Sequence, residues 1–63
     1  MSLHIINKIK LFKHFQISTL ERDVNEWLEQ ENEHINVCSI EYQMTSSDHS
    51  GYEYSVCIHY IKL

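Results

Sequence analysis

The segment YEYSVCIHYIKL at the C-terminal end carries a thiol and an imidazole two positions apart. On a β-strand, Cys57 and His59 lie on the same side about 7 Å apart at Cα, because each residue rises about 3.4 Å. Thiolate and imidazole both bind zinc, and Glu41 is a possible third ligand. Zinc sites usually combine three or four ligands, and spaced cysteine pairs are their stronger signature. Cys57 and His59 are therefore weak metal candidates, and we expect neither a bound metal nor a cofactor.

The same pair is poorly placed for nucleophilic catalysis. A cysteine nucleophile needs a base within hydrogen-bond distance and a third group that orients the base. Neighbouring positions on one side of a strand hold Cys57 and His59 roughly parallel instead. The sequence has no nucleophile elbow, glycine-rich phosphate loop or paired-carboxylate pattern. We expect a protein that is not an enzyme.

The alternation of polar and apolar residues predicts three strands around one helix. The first strand is predicted at Ile5–Phe12, and the helix at Thr19–Glu31 with Asn32 as its stop. Ser18 followed by Glu21 has the spacing of a capping box, which would begin the helix. The segments INVCSIEYQM and YEYSVCIHYIKL, separated by the turn-forming SSDHSG, are the other two strands.

Three strands and one helix bury their apolar residues best when the helix packs across one face of the sheet. The final strand is the most apolar, so we place it in the centre of an antiparallel sheet, in the order second, third, first. The alternative pairs the first and second strands in parallel, joined by the helix as a crossover. The predicted core joins the helix stripe to the strands as follows: Leu20, Val24, Trp27 and Leu28 against Ile9, Leu11, Ile40, Tyr42, Val56 and Ile58.

The two cysteines are expected on opposite faces of this sheet. Cys38 alternates with Ile40 and Tyr42 on the core side, whereas Cys57 shares the other side with His59. A disulfide needs Cβ atoms about 3.8 Å apart, so we predict that both thiols are free.

No second helix is available to cover the opposite sheet face, which we expect to meet water or a partner. The apolar strip predicted there is the candidate interface: Ile6, Phe12, Cys57, His59 and Ile61. Two copies could stack through this face or join edge to edge along an outer strand, since a small domain gains most by burying such a strip.

The chain has 63 residues, which suffice for a single small domain over residues 1–63. Its 9 acidic and 5 basic residues give a net charge of −4. Lys8, Lys10 and Lys13 beside Phe12 and Phe15 resemble a small nucleic-acid surface, but the acidic helix would repel a phosphate backbone. With no export signal and no apolar run of about 18 residues, we expect a cytoplasmic protein without nucleic-acid or membrane partners.

The segments KIKLF, LERDVNEWLEQ, SIEYQM and YEYSVCIHYI together resemble the small sporulation-expressed proteins of Bacillus-type bacteria, the Cse-type family. The resemblance covers roughly residues 8–61 and consists largely of the apolar pattern. It implies a Gram-positive source and a link to sporulation, but no known activity and no catalytic residues.

The favoured hypothesis is a small non-enzymatic α+β protein that self-associates or binds a protein partner. One alternative is a homo-oligomer that holds a small ligand, such as a flat aromatic cofactor, between its subunits. The other is the weak metal site at Cys57 and His59.

Overall fold

The computed structural model describes residues 7–47 and 51–63, which form three strands and one helix. Strand β1 spans Asn7–His14, helix α1 Ile17–Glu31, strand β2 Ile35–Ser47 and strand β3 Gly51–Lys62. This order confirms the predicted β-α-β-β sequence of elements. β1 ends two residues later than predicted, and its predicted first residues, Ile5 and Ile6, lie outside the described residues.

The strands form one sheet in the order β1-β3-β2, and both pairings are antiparallel. The predicted topology is therefore confirmed, and the alternative with adjacent parallel first and second strands is wrong. Because β3 is antiparallel to both neighbours, β1 and β2 run in the same direction on either side of it. Helix α1 connects these two outer strands across one face of the sheet.

Helix α1 begins two residues earlier than the sequence predicts. Gln16 is the N-cap in an extended conformation, and no side chain there caps a backbone amide. Ser18 lies inside the helix, so the predicted capping box with Glu21 is wrong. The hydroxyl of Thr19 instead donates to the side-chain oxygen of Gln16 at 3.2 Å. The predicted stop is confirmed, since Asn32 is the C-cap.

The core lies between α1 and the two strands β3 and β1. Its buried residues are Leu20, Val24, Val56 and Ile58, with Phe12, Trp27, Leu28, Tyr54 and Tyr60 packed around them. Trp27 meets Phe12 edge-on with ring centroids 6.1 Å apart, and Tyr60 edge-on at 5.2 Å. Such aromatic pairs contribute about 0.5–1.5 kcal/mol beyond their buried area, so this cluster joins the helix to both strands.

The predicted facing of β1 is wrong by one residue. Phe12 lies opposite Val56 on the helix side of the sheet and is half-buried, although it was predicted on the uncovered side. Ile9 and Leu11, predicted in the core, are 54% and 67% exposed. The physical reason is the contact with Trp27, which gives the aromatic ring of Phe12 a buried partner. A shift of one residue moves every side chain of a strand to the other face.

Strand β2 contains a β-bulge that the alternation did not indicate. Val37 lies opposite Tyr60 and Ser39 opposite His59, so Cys38 is an extra residue between two successive pairs. Cys38, predicted on the core side with Ile40, is therefore not part of the regular alternation, and its side chain is exposed. After the bulge, Ile40 and Tyr42 lie opposite Ile58 and Val56 on the helix side of the sheet, which is the face predicted for them.

The facing of β1 can be tested with two adjacent truncations. Phe12→Ala removes a ring that packs on Trp27, and we expect it to lower the free energy of unfolding by about 2 kcal/mol, since the ring is half-buried. Leu11→Ala, at an exposed position, should change it by less than about 0.5 kcal/mol. Both are measured by urea denaturation at one protein concentration. A larger loss for Leu11→Ala than for Phe12→Ala would support the opposite facing.

Candidate functional site

The first exposed surface is the outer face, defined as the side of the sheet opposite α1. Central strand β3 contributes Ser55, Cys57, His59 and Ile61 to it. The register places Leu11 of β1 and Glu41 of β2 opposite Cys57, and Ile9 and Ser39 opposite His59. Directly opposed residues have Cβ atoms about 4.5–5.5 Å apart. Every residue of this row is therefore in reach of its cross-strand neighbours.

Cys57 and His59 lie on the same face, as predicted, with Glu41 beside Cys57. Among the residues that the structure describes, no group of three or more His, Cys, Asp or Glu side chains is close enough to hold a metal ion. His59 has Ile9 and Ser39 as its opposed neighbours, and neither offers a carboxylate or a second imidazole. Within residues 7–47 and 51–63, the weak metal candidate gains no further ligand.

The apolar part of the outer face differs in composition from the predicted strip. Cys57 and Ile61 are half-buried there and His59 is exposed, in agreement with their predicted face. Phe12 lies on the other face, and Ile6 falls outside the described residues. Ile9 and Leu11 take the place of these two, so the outer face remains apolar in its centre. The use of this face as an interface stays a prediction.

Charged side chains flank this apolar centre. Lys13 Nζ lies 3.1 Å from the carboxylate of Glu53, and Glu41 is exposed on the neighbouring strand. Exposed ion pairs of this kind contribute about 0–1 kcal/mol, so Lys13 and Glu53 add little to stability. Their arrangement does give the face the apolar centre and polar rim typical of protein contacts.

The second exposed surface, which we call the β2 groove, runs between α1 and the helix-facing side of β2. Its volume is about 260 Å³. It is lined by Ile17, Leu20, Glu21, Val24 and Asn25 of the helix, Ile40 and Tyr42 of β2, and Val56 of β3. The groove exists because α1 packs over β1 and β3. Ile35 at the start of β2 is buried, but the helix-facing side of β2 from Ile40 to Met44 is left uncovered.

As a consequence, three β2 side chains that point to the helix side of the sheet are about half exposed to solvent. Ile40, Tyr42 and Met44 are 52%, 51% and 53% exposed. Tyr42 stacks on Tyr54 of β3 with ring centroids 6.5 Å apart, and Tyr42 also lines the β2 groove. Ile40 and Tyr42 lie on the predicted face of the sheet, but the prediction that the helix covers them is wrong.

The missed signal was the width of the helix. An α-helix with its side chains is about 10–12 Å across, whereas neighbouring strands are about 4.8 Å apart. One helix therefore covers about two strands, and a three-stranded sheet with a single helix must leave one strand open. Which strand stays open depends on where the helix sits. The short connection after β1 sets the helix over β1 and β3, and the contact between Trp27 and Phe12 holds it there.

Comparison of this chain with protein-family models, curated proteins and solved structures finds no match. In the part of the chain that the structure describes, no helix is both long and apolar enough to cross a membrane.

Both cysteines are free in the structure, with Cys38 exposed and Cys57 half-buried. We expect two labels per chain when the denatured, non-reduced protein is alkylated and weighed by mass spectrometry. In the native protein Cys38 should react faster than Cys57, because its thiol is more accessible. The single variants Cys38→Ser and Cys57→Ser assign the two rates. A monomeric species that takes up no label would contradict the predicted separation of the two thiols.

Proposed function

We propose that this protein is a small, cytoplasmic, non-enzymatic interaction domain that associates with itself or with a protein partner through the exposed apolar surfaces of its sheet. One observation carries the proposal: among the described residues, exposed large apolar side chains outnumber buried ones by ten to five. The buried set is Leu20, Val24, Ile35, Val56 and Ile58. The exposed set is Ile9, Leu11, Phe15, Ile17, Val37, Ile40, Tyr42, Met44, Tyr52 and Leu63.

This imbalance matters because the domain is small. A chain of about 60 residues buries only about 60% of its unfolded surface, which leaves a marginal core. Single exposed apolar residues are ordinary, but contiguous patches usually mark contact sites. Here the exposed residues are grouped, with Ile9 and Leu11 adjacent on the outer face and Ile40, Tyr42 and Met44 adjacent along β2. Covering them would add the buried area that one copy lacks.

The shape of the chain supports the same proposal. Its radius of gyration is 14.2 Å and its extents are 53 × 21 × 12 Å. A compact domain of this length would have a radius of gyration of about 11 Å. The long, thin form keeps much of the sheet accessible for contacts.

A homo-oligomer that holds a flat aromatic ligand is the second candidate, favoured by the apolar β2 groove and by the aromatic side chain of Tyr42 that lines it. At about 260 Å³, the groove is slightly smaller than typical ligand pockets of about 300–1,000 Å³. A second subunit would have to close it. A visible absorption band in freshly purified protein that is lost on denaturation and filtration would favour this candidate.

A role in sporulation, suggested by the resemblance to the Cse-type proteins, is part of the proposal as its biological setting. Expression restricted to sporulating cells of a Gram-positive source would support it.

The interaction proposal predicts concentration-dependent self-association. A single chain has a mass of 7.6 kDa, so a dimer doubles the mass and is readily distinguished by sedimentation velocity. We expect the weight-average mass to rise from that of one chain towards that of two across the micromolar range, because apolar surface is buried on association. A constant mass of one chain up to high micromolar concentration would contradict self-association.

A further inference from the structure

We propose that the second copy binds at the free edge of β2, so that the two β2 strands pair antiparallel about a two-fold axis at Tyr42. The two three-stranded sheets would then form one continuous sheet of six strands. This inference rests on the proposed self-association and specifies where it occurs. It leaves the outer face free for a different contact.

The two edges of the sheet differ in how well they resist pairing. Proteins protect edge strands by making them short or by adding lysines, prolines and bulges. β1 is eight residues long and carries Lys8, Lys10 and Lys13. β2 is thirteen residues long, has Glu41 as its only charged residue, and contains no proline. Its bulge lies near its start, at Cys38, so the stretch from Ser39 to Ser47 is a regular, unprotected edge.

The side chains along this edge are complementary to a second copy of themselves. Ile40, Tyr42 and Met44 point to the helix side and are about half exposed. An extended strand added at this edge would place its own helix-side residues next to these three. The β2 strand of another copy has the matching alternation of apolar residues, so each copy supplies both the edge and the strand that covers it.

The register follows from the positions of the charged and apolar residues. Residues opposed across an antiparallel pair lie on the same face. An axis at Tyr42 sets Ile40 of one copy opposite Met44 of the other, and Glu41 opposite Gln43. An axis at Glu41 would oppose two carboxylates, which is destabilising. An axis at Gln43 would leave Ile40 opposite the polar Ser46.

Charge also favours the edge over stacking of two β2 grooves face to face. Glu21 and Asn25 form the helical rim of the groove, and helix α1 carries five acidic residues and one arginine. Stacking would bring the two acidic helices together. Edge pairing keeps them apart, because each helix lies over β1 and β3, the strands farther from the axis.

The expected contact is small. The regular edge of nine residues is about 30 Å long. We expect it to bury about 600 Å² per copy, near the lower limit for specific interfaces. This is roughly a ninth of the 5319 Å² surface of one chain, and a dissociation constant in the micromolar range is expected.

The test compares two substitutions to lysine by sedimentation velocity. Tyr42→Lys puts two charges together at the proposed axis and should weaken dimerisation roughly 30-fold or more. Leu11→Lys introduces the same charge at an exposed position of the outer face, which is the competing surface; if the copies pair at the β2 edge, it should leave the dissociation constant within about threefold. Far-UV circular dichroism checks that each variant is folded. If Tyr42→Lys does not fold, Met44→Lys takes its place, since Met44 is 53% exposed.

The outcomes separate the edge from the general proposal. Dissociation by Leu11→Lys but not by Tyr42→Lys would overturn edge pairing and assign self-association to the outer face. Equal effects of the two variants would overturn it as well. A wild-type chain that stays monomeric would instead contradict the self-association on which the inference rests.

Disulfide trapping tests the register itself. In a Cys38→Ser, Cys57→Ser background, Tyr42→Cys should form a covalent dimer on mild oxidation, because opposed Cβ atoms start about 4.5–5.5 Å apart and need to move only about 1 Å closer to reach the separation of about 3.8 Å that a disulfide requires. Ile40→Cys is the control, since its symmetry mate would lie four residues along, roughly 13 Å away. Efficient trapping by Ile40→Cys and not by Tyr42→Cys would overturn an axis at Tyr42.

Discussion

The structure depends on one geometric constraint: a single helix must cover a sheet that is one strand too wide for it. Helix α1 is 15 residues long, long enough to follow the strands but only about 10–12 Å across. Only two residues, Phe15 and Gln16, separate it from the end of β1, so the chain turns back directly over β1. The helix therefore covers β1 and the central β3. The exposed helix-facing side of β2 is a direct consequence of this short connection.

The aromatic cluster fixes the position that the short connection allows. Trp27 contacts Phe12 of β1 and Tyr60 of β3, which ties the helix to both strands. Phe12 can join only if the even positions of β1 face the helix, and this brings Lys8 and Lys10 to the same side. Lys10 places its ammonium 5.4 Å from the ring centroid of Phe12, a favourable cation–π geometry. A lysine can lie beside an apolar cluster in this way because its stem is apolar while its charge stays in water.

The sequence was most informative where one pattern dominated. The alternation of β3 and the apolar stripe of α1 were each unambiguous, and together they predicted the fold class, the strand order and the facing of Cys57, His59 and Ile61. The sequence was uninformative for β1, because its apolar residues occur at both odd and even positions. The contact between Phe12 and Trp27 determines which of the two sets faces the helix. The bulge at Cys38 was missed because the cysteine itself continues the even-numbered alternation of Ile40, although the preceding apolar residues, Ile35 and Val37, are at odd positions. The helix start was misplaced because Ser18 and Glu21 have the spacing of a capping box without its geometry.

The candidate site was less predictable than the fold, for a related reason. Alternation reports which face of a strand is apolar, but it does not report whether that face is covered. Ile40 and Tyr42 have the same pattern as the buried Val56 and Ile58 that they oppose. Their exposure follows only from the position of the helix, which is a property of the whole fold.

The position of helix α1, which covers β1 and leaves most of β2 exposed, also links the fold to the proposed association. The residues that α1 leaves exposed lie along the edge that has no lysines, whereas the lysines lie along the edge that the helix covers. If the apolar surface of β2 were merely tolerated in water, its edge would need the protection that β1 has, because an unprotected edge and an apolar face together promote uncontrolled pairing. Specific pairing with a second copy resolves both problems with the same contact. It satisfies the free backbone groups of β2 and brings Ile40, Tyr42 and Met44 against apolar neighbours. The exposed surface that leaves the single chain only marginally stable would therefore stabilise the dimer.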